Sequence, residues 1–176
     1  ASDVYKRQKE TSGILLFARN QVAAARLQKQ REEGKLQKKY LALAEGDLSE
    51  ANDSVFWKEI AIPLAPDPEN PMKMTISPDG LLPGSRNAVT YYKNIKNFGN
   101  VTLVELQLET GRTHQIRIHM KYIGFPLIGD YLYNPDMEHI TRQALHSYRL
   151  TFLHPITGQK MDFTAPLPDD MKKILN

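Results

Sequence analysis

The sequence contains no cysteine, and this absence excludes several kinds of site. A chain without thiols forms no disulfide bond, holds no metal through thiolates and has no cysteine nucleophile. A reducing, cytoplasmic location agrees with this composition. His114 and His119 would lie about 140° apart on a helix, and neither an HExxH pattern nor a third ligand accompanies them. We therefore expect no metal.

Long apolar runs are also missing. The longest, GILLFA at residues 13–18, is far too short to cross a bilayer, which takes about 20 residues. No segment has the pattern of a signal peptide. The sequence has neither a G-x-S-x-G elbow nor a glycine-rich phosphate loop, which disfavours a serine hydrolase and a nucleotide-binding fold.

The composition fits one domain with a sizeable core. The 176 residues are 41% hydrophobic and 24% charged, as in ordinary globular proteins. The formal net charge is +3 and the sequence pI is about 9.0. This mild basic bias helps binding to a polyanion without establishing it, so the positions of the charges have to decide.

Hydrophobic periodicity predicts an α+β fold. Apolar runs indicate strands at 14–18, 38–44, 57–63, 72–76, 88–92, 101–108, 144–153 and 161–163. Runs of helix formers indicate helices at 20–33, at 114–123 and near the C-terminus. In the first helix Val22, Ala23 and Leu27 should face the core. We expect one mostly antiparallel mixed sheet with helices packed on it.

One segment, TGRTHQIRIHMKYIGFPLIGD at 110–130, concentrates basic and amide side chains in a predicted helix. Arginine pairs bidentately with phosphates and carboxylates, so Arg112 and Arg117, with Lys121, are candidates for nucleic-acid contact. A structural interpretation is also open, in which Arg117 holds a salt bridge and the histidines bond backbone groups. Composition alone favours the structural interpretation.

This segment resembles the signature of the RluA-type RNA pseudouridine synthases. The resemblance lies in TGRTHQIRIH at 110–119 and GFPLIGD at 124–130. Three further stretches agree in order, KETSGILL at 9–16, KYLAL at 39–43, and LHS at 145–147 followed by Leu150 and His154-Pro155. By eye the resemblance extends over roughly residues 9–170.

The resemblance implies a single pseudouridine synthase-like catalytic domain at residues 9–176, with an upstream part missing. It implies an isomerase that converts uridine to pseudouridine in rRNA or tRNA. An aspartate is the family's essential group, and no cofactor or metal is used. The target base has to leave its stack to reach that group. RNA is thus the implied partner, and we expect a cytoplasmic monomer without an obligate protein partner or membrane contact.

The resemblance also assigns roles to single residues. Tyr40 would stack on the flipped uracil and hydrogen-bond through its hydroxyl. Arg117 would pair with the catalytic aspartate and keep it ionised. Leu145 would form the apolar wall of the base pocket. The others would shape the site or contact RNA, without a separate role for each: Arg112, His114, Gln115 and His119.

The sequence departs from the family at the catalytic position. The family motif His-Arg-Leu-Asp precedes Lys9, whereas this chain has YKRQ at 5–8. Gln8 occupies the position of the aspartate, and a neutral amide is a poor base and a poor nucleophile. Lys6 replaces an arginine and keeps its charge without its planar group. We expect the chain as written to be inactive, with Arg117 deprived of its ionic partner.

Residues 1–8 form a segment that does not match the family. The boundary before Lys9 is abrupt, and DVYKRQ at 3–8 resembles a translated sequencing-library adapter. We expect this segment to be foreign to the gene. A parent locus with a start codon immediately upstream would contradict this expectation.

Two alternatives to an RNA-modifying isomerase stay open. One is a non-catalytic RNA-binding relative that has lost its aspartate but keeps a basic surface, and salt-dependent RNA binding without isomerisation would favour it. The other is an unrelated structural domain, which predicts no affinity for structured RNA.

Overall fold

The computed structural model describes residues 11–48, 56–135 and 138–176. The helices in these ranges are α1 (Gln21–Glu32), α2 (Gln115–Tyr122) and α3 (Asp169–Ile174). The strands are β1 (Ser12–Gly13), β2 (Gln37–Glu45), β3 (Lys58–Ala61), β4 (Leu64–Pro66), β5 (Met74–Ile76), β6 (Val89–Asn97), β7 (Val101–Leu108), β8 (Leu145–Leu153) and β9 (Lys160–Thr164). Among the helices in the described ranges, none is long and apolar enough to pass through a lipid bilayer.

Seven of the described strands form one sheet, in the order β1–β8–β2–β7–β6–β3, with β9 also paired to β8. Every pairing in it is antiparallel except that of β1 with β8. Strands β4 and β5 form a separate antiparallel ribbon. This sheet and its helices confirm the α+β fold predicted from the sequence.

The two faces of the sheet are sorted by the alternation of side chains along β2. Tyr40, Ala42 and Ala44 point to the face that α2 covers, and we call it the Tyr40 face. Leu43 points to the opposite face and packs there with Met171 of α3. The sheet therefore buries apolar side chains on both faces, and the site residues have to be sorted by face.

Helix α1 lies on the Tyr40 face beside α2. Its Leu27 packs with Leu150 of β8, which is paired in register with Lys38 of β2. Lys38 and Tyr40 are two residues apart on one strand and so point to the same side. The strip of sheet around Tyr40 is therefore bordered by a helix on each side.

The first predicted helix is confirmed, with one error in its inward face. Asn20 caps α1 through its side-chain oxygen, which accepts the Ala23 N–H at 2.8 Å. Ala23 and Leu27 are buried as expected, but Val22 is 55% exposed. Val22 lies in the first turn of α1, where its side chain points away from the sheet.

The predicted strand at 14–18 is wrong, since only Ser12 and Gly13 pair with β8 as a strand. The reason is that β9 pairs with β8 from Arg149 to Leu153 and so occupies the edge that the run would need. Ile14 still donates its N–H to the Ser147 carbonyl at 2.8 Å. The apolar run contributes side chains to the α1 cluster without adding a longer strand.

The loop-rich segment contains one strand more than the sequence predicted. Strands β3 and β5 fall within the two predicted short strands, at 57–63 and 72–76. Strand β4 was not expected, because it is three residues long and ends at Pro66, a residue that lacks a backbone donor.

Gly129 offers a test of the close packing against Ile140 and Arg142. It has a left-handed backbone (φ +69°), and a Cβ there would lie 2.3 Å from the Arg142 carbonyl oxygen. Gly158 has a similar φ of +73°, but its Cβ position is open. We predict that Gly158→Ala lowers the free energy of unfolding by about 1–2 kcal/mol and that Gly129→Ala lowers it by clearly more. Urea denaturation measures both losses, and equal values would contradict the packing described.

Candidate functional site

Two of the predicted site residues lie together on the Tyr40 face. Tyr40 packs against the buried cluster that contains Leu145 of β8, with Ile116 and Met120 of α2 above them. Leu145 is only 1% exposed, whereas Tyr40 is partly exposed. The arrangement is an aromatic ring at the margin of an apolar floor. The roles of both residues toward a base stay predictions.

Helix α2 is fastened to the sheet by two fully buried polar side chains. The Gln115 amide donates to the Val89 carbonyl at 2.9 Å and to Thr90 Oγ1 at 3.0 Å. His119 lies 2.8 Å from Thr90 Oγ1 through Nδ1 and 3.0 Å from the Ile62 carbonyl through Nε2. Burial also lowers the pKa of His119, so its ring is neutral near pH 7.

Gln115 and His119 are completely buried, and their polar atoms bond the fold itself. Of the two roles left open for them, burial favours shaping the site, and both roles stay predictions. The structural interpretation of the histidines is therefore correct for His119.

Arg117 forms a buried bidentate ion pair with Asp130. Its Nε lies 2.7 Å from Oδ2, its Nη2 bonds Oδ1, and the two side chains are 2% and 0% exposed. The expectation that Arg117 lacks an ionic partner is wrong, since Asp130 supplies a carboxylate from the end of the same signature segment. Within the described residues Nη1 makes no hydrogen bond, so the guanidinium keeps donors for a second acceptor.

Asp130 also orders the turn that follows it. Its Oδ1 accepts the N–H groups of Leu132 and Tyr133, both at 3.2 Å. The Arg117 guanidinium carbon lies 5.0 Å from the centre of the Tyr133 ring. The ion pair thus fixes Tyr133 beside α2. Asp130 and Tyr133 were not predicted as site-forming residues, although the signature GFPLIGD ends at Asp130.

His114 precedes α2 and contacts this tyrosine. Its Nδ1 lies 2.8 Å from the Tyr133 hydroxyl, which accepts the Met74 N–H at 2.9 Å. Burial, followed by the nearby charge of Arg117, lowers the pKa of His114 to about 4. The imidazole is therefore neutral near pH 7. The residue is half-buried.

Basic side chains lie on the α1 side of the Tyr40 face. The Arg31 guanidinium lies against Gly111, where a Cβ would be 2.3 Å from Nη2. Burial, with the charge of Arg31, lowers the pKa of Lys38 to about 8. Arg112 follows Gly111 and is partly exposed, but its Nε donates to the Asn87 carbonyl at 2.9 Å, just before β6. Arg31 and Lys38 were not predicted as site residues. The alternation of side chains along β2 places Lys38 on the same face as Tyr40 and so could have indicated Lys38, but not Arg31.

Two buried hydroxyls without partners border the Tyr40 face where β1 meets β8. Among the described residues, Thr11 Oγ1 and Ser147 Oγ have no hydrogen-bond partner, which costs about 1–3 kcal/mol each. Ser147 is paired in register with Tyr40, so its hydroxyl lies close to the tyrosine. Gln8 and Lys6 lie outside the described residues, and their roles stay predictions.

The comparisons with known proteins agree on one family. The family model for RNA pseudouridylate synthase matches residues 8–122. The uncharacterized RNA pseudouridine synthase YjbO of Bacillus subtilis is 40% identical over 172 residues, which are 98% of this chain and 57% of the relative. The ribosomal large subunit pseudouridine synthase D of Zymomonas mobilis is 37% identical over 178 residues, covering 96% of this chain and 53% of that one.

This chain belongs to the RNA pseudouridine synthase family, a family of isomerases. The resemblance found in the sequence is thereby confirmed. The human RNA pseudouridylate synthase domain containing 4 has the same fold, with a TM-score of 0.77 over 96% of this chain and 72% of that one, at 21% identity. The chain spans about half the length of the curated relatives it matches.

The buried ion pair gives the second prediction. Asp130→Asn keeps the shape of the side chain but removes the charge that neutralises Arg117. Because an unpaired charge then stays buried, we expect the free energy of unfolding to fall by about 3–5 kcal/mol. The matched control is Asp162→Asn, which breaks the exposed pair with Arg149 and should change stability little. Equal losses in chemical denaturation would contradict a structural role for the buried pair.

Proposed function

We propose that this chain supplies the uridine-binding part of an enzyme that isomerises uridine to pseudouridine in rRNA or tRNA. The observation that supports the proposal is that Tyr40 and Leu145 lie together on one face of the sheet, beneath α2, the helix that contains Arg117. The chain also belongs to the RNA pseudouridine synthase family. The similarity to a ribosomal large subunit pseudouridine synthase favours rRNA as the substrate. The proposal includes a cytoplasmic monomer that uses no metal or cofactor.

Tyr40 is proposed to hold the flipped base. A partly exposed ring on an apolar floor gives a base a flat surface, and the hydroxyl adds a directional hydrogen bond. Base–aromatic stacking contributes about 1–3 kcal/mol, which offsets part of the energy needed to unstack the base. Leu145 would exclude water from one side of that base.

The basic side chains on the α1 side are proposed to contact RNA phosphates. Arg31 and Lys38 lie on the α1 side of the site, and Arg112 follows Gly111, which the Arg31 guanidinium contacts. The Arg112 Nε donates to the Asn87 carbonyl at 2.9 Å. Lys38 is still largely protonated near pH 7, because its pKa is about 8. Phosphate would favour its charged form further.

The catalytic group is proposed to stand beside Arg117. The guanidinium holds Asp130 through Nε and Nη2 and keeps Nη1 for another acceptor in the described part of the chain. The family aspartate would use those donors and stay ionised. Gln8, in its position, cannot take a proton or attack a ribose carbon at a useful rate. The chain as written is therefore proposed to be inactive.

A charge at position 8 tests this assignment. We predict that Gln8→Asp forms pseudouridine in uridine-labelled rRNA or tRNA transcripts, whereas the unchanged chain does not. The control is Gln8→Asn, which has the size of aspartate without its charge. Tritium released from uridine C5 measures the reaction, because C5 loses its hydrogen when it bonds C1′. Release by the unchanged chain, or equal release by both variants, would contradict the assignment.

RNA affinity tests the basic surface separately from catalysis. We expect the affinity of the chain for structured RNA to fall as salt rises, and Arg31→Gln to reduce the slope of log K against log salt by about 1. Lys173→Gln is the matched control, since it removes one exposed charge from α3 on the opposite face of the sheet. Equal slopes for the two variants would place the RNA elsewhere.

The second candidate function is a non-catalytic RNA-binding relative. Gln8 is the observation that favours it, because the basic surface would remain useful without the aspartate. It predicts that the natural full-length chain has glutamine at this position and binds RNA without isomerising uridine. The third alternative, an unrelated structural domain, is wrong, because the chain belongs to the family.

A further inference from the structure

His114 has a backbone conformation that residues with a side chain rarely adopt. Its φ is 55° and its ψ is 16°, and no other non-glycine residue in the described ranges has a positive φ. This left-handed conformation costs roughly 1–2 kcal/mol. The His114 side chain does not cap α2, so the strain brings no capping bond to the helix end. Strain of this kind is often retained where it orients a functional side chain.

The side chain is turned toward Tyr133, whose hydroxyl has one proton and two close neighbours. The hydroxyl oxygen accepts the Met74 N–H at 2.9 Å and lies 2.8 Å from His114 Nδ1. Tyr133 is 7% exposed, and its hydroxyl has no further partner among the described residues. If Nδ1 donated, the hydroxyl proton would be buried without an acceptor, at about 1–3 kcal/mol. The hydroxyl therefore donates to Nδ1.

This assignment fixes the other ring nitrogen. Burial and Arg117 lower the pKa of His114, with Asp130 opposing them more weakly, so the ring is neutral at pH 7. A neutral imidazole carries one proton, and with Nδ1 accepting, that proton is on Nε2. In the described part of the chain Nε2 makes no hydrogen bond, and it is not among the buried unpaired atoms. It is therefore an N–H donor that reaches solvent.

We propose that Tyr133 is a positioning residue that holds His114 as the Nε2–H tautomer, and that this N–H donates to an acceptor oxygen of bound RNA. This inference rests on the proposed function. His114 directly follows Thr113 and the partly exposed Arg112, and so lies beside the surface proposed to contact RNA. The donor is uncharged, so the contact adds direction without releasing further counterions.

Nitrogen NMR of the histidine side chains tests the tautomer without RNA. At pH 7 the unchanged chain should show His114 with a protonated Nε2 and a bare Nδ1. In Tyr133→Phe both tautomers should be populated, because the hydroxyl that selects one of them is gone. A protonated Nδ1 in the unchanged chain overturns the proposal. This result needs no variant and so stands even if Tyr133→Phe folds poorly.

A pair of substitutions at His114 tests the donor. Glutamine places an amide N–H near the position of Nε2, whereas asparagine places one only near Nδ1. Asparagine tolerates the left-handed backbone better, so stability favours His114→Asn while RNA binding should favour His114→Gln. With a uridine oligonucleotide, we expect His114→Asn to lose affinity about three- to tenfold and His114→Gln to stay within about twofold. Equal affinity of the Asn variant and the unchanged chain overturns the proposal.

The outcomes separate this inference from the proposed function. If the unchanged chain binds no RNA at low salt, the proposed function fails and the RNA contact fails with it. If it binds and His114→Asn binds as tightly, only the inference fails. An abasic oligonucleotide of the same length identifies the acceptor. An affinity loss that persists on it assigns a phosphate or ribose oxygen, and a loss that disappears assigns a base carbonyl.

Discussion

The ion pair of Arg117 with Asp130 is the constraint on which the site depends. Both side chains are almost completely buried, and the pair is bidentate, so it fixes an orientation as well as a distance. A buried pair contributes little net stability against an apolar replacement, but losing one partner is strongly destabilising. Its value here is geometric, because it ties α2 to the turn that begins at Asp130. That turn carries Tyr133, and Tyr133 in turn contacts His114.

The buried polar side chains of the signature segment at 110–130 therefore contribute mainly to the fold. Gln115 and His119 are one helical turn apart and point into the sheet, where both bond Thr90. Arg117 points to a different side of α2 and reaches Asp130. A short helix with so many polar residues is stable in a buried position because nearly every polar atom has a partner. The accessible side chains of the segment include Arg112 and His114 at its beginning, which are the ones proposed to contact RNA.

Local pattern predicted much of the fold because it depends on neighbours in sequence. The alternation in β7, the capping residue of α1 and the turn between β6 and β7 all follow from residues that are close together in the chain. The conformation of residues 14–18 does not follow from their neighbours in the chain. These residues could pair with β8 only at the edge that β9 occupies, and β9 is distant in the chain. Periodicity indicates which secondary structure a segment can form, and competition for the free edge of a strand decides whether it forms.

The site was predictable to the extent that a family signature names its residues. The signature placed Tyr40, Leu145 and Arg117 in one region, and the structure brings the first two together in one cluster. It could not identify the partner of Arg117, because charge complementarity in a sequence of 23 basic and 20 acidic residues leaves many pairings open. The sequence also did not indicate Arg31 as a site residue, because its contact with Gly111 arises only from the packing of α1 on the sheet.

The pairing with Asp130 also explains how this chain can carry Gln8 and keep the site's support. If a catalytic carboxylate were the only partner of Arg117, an amide there would leave a buried cation unpaired, which typically costs about 3–5 kcal/mol. Asp130 neutralises that cation within the signature segment itself. Under the proposed assignment, folding and chemistry depend on different carboxylates. A relative without the catalytic acid would then lose reactivity and still keep α2, the Asp130 turn and Tyr133 in place.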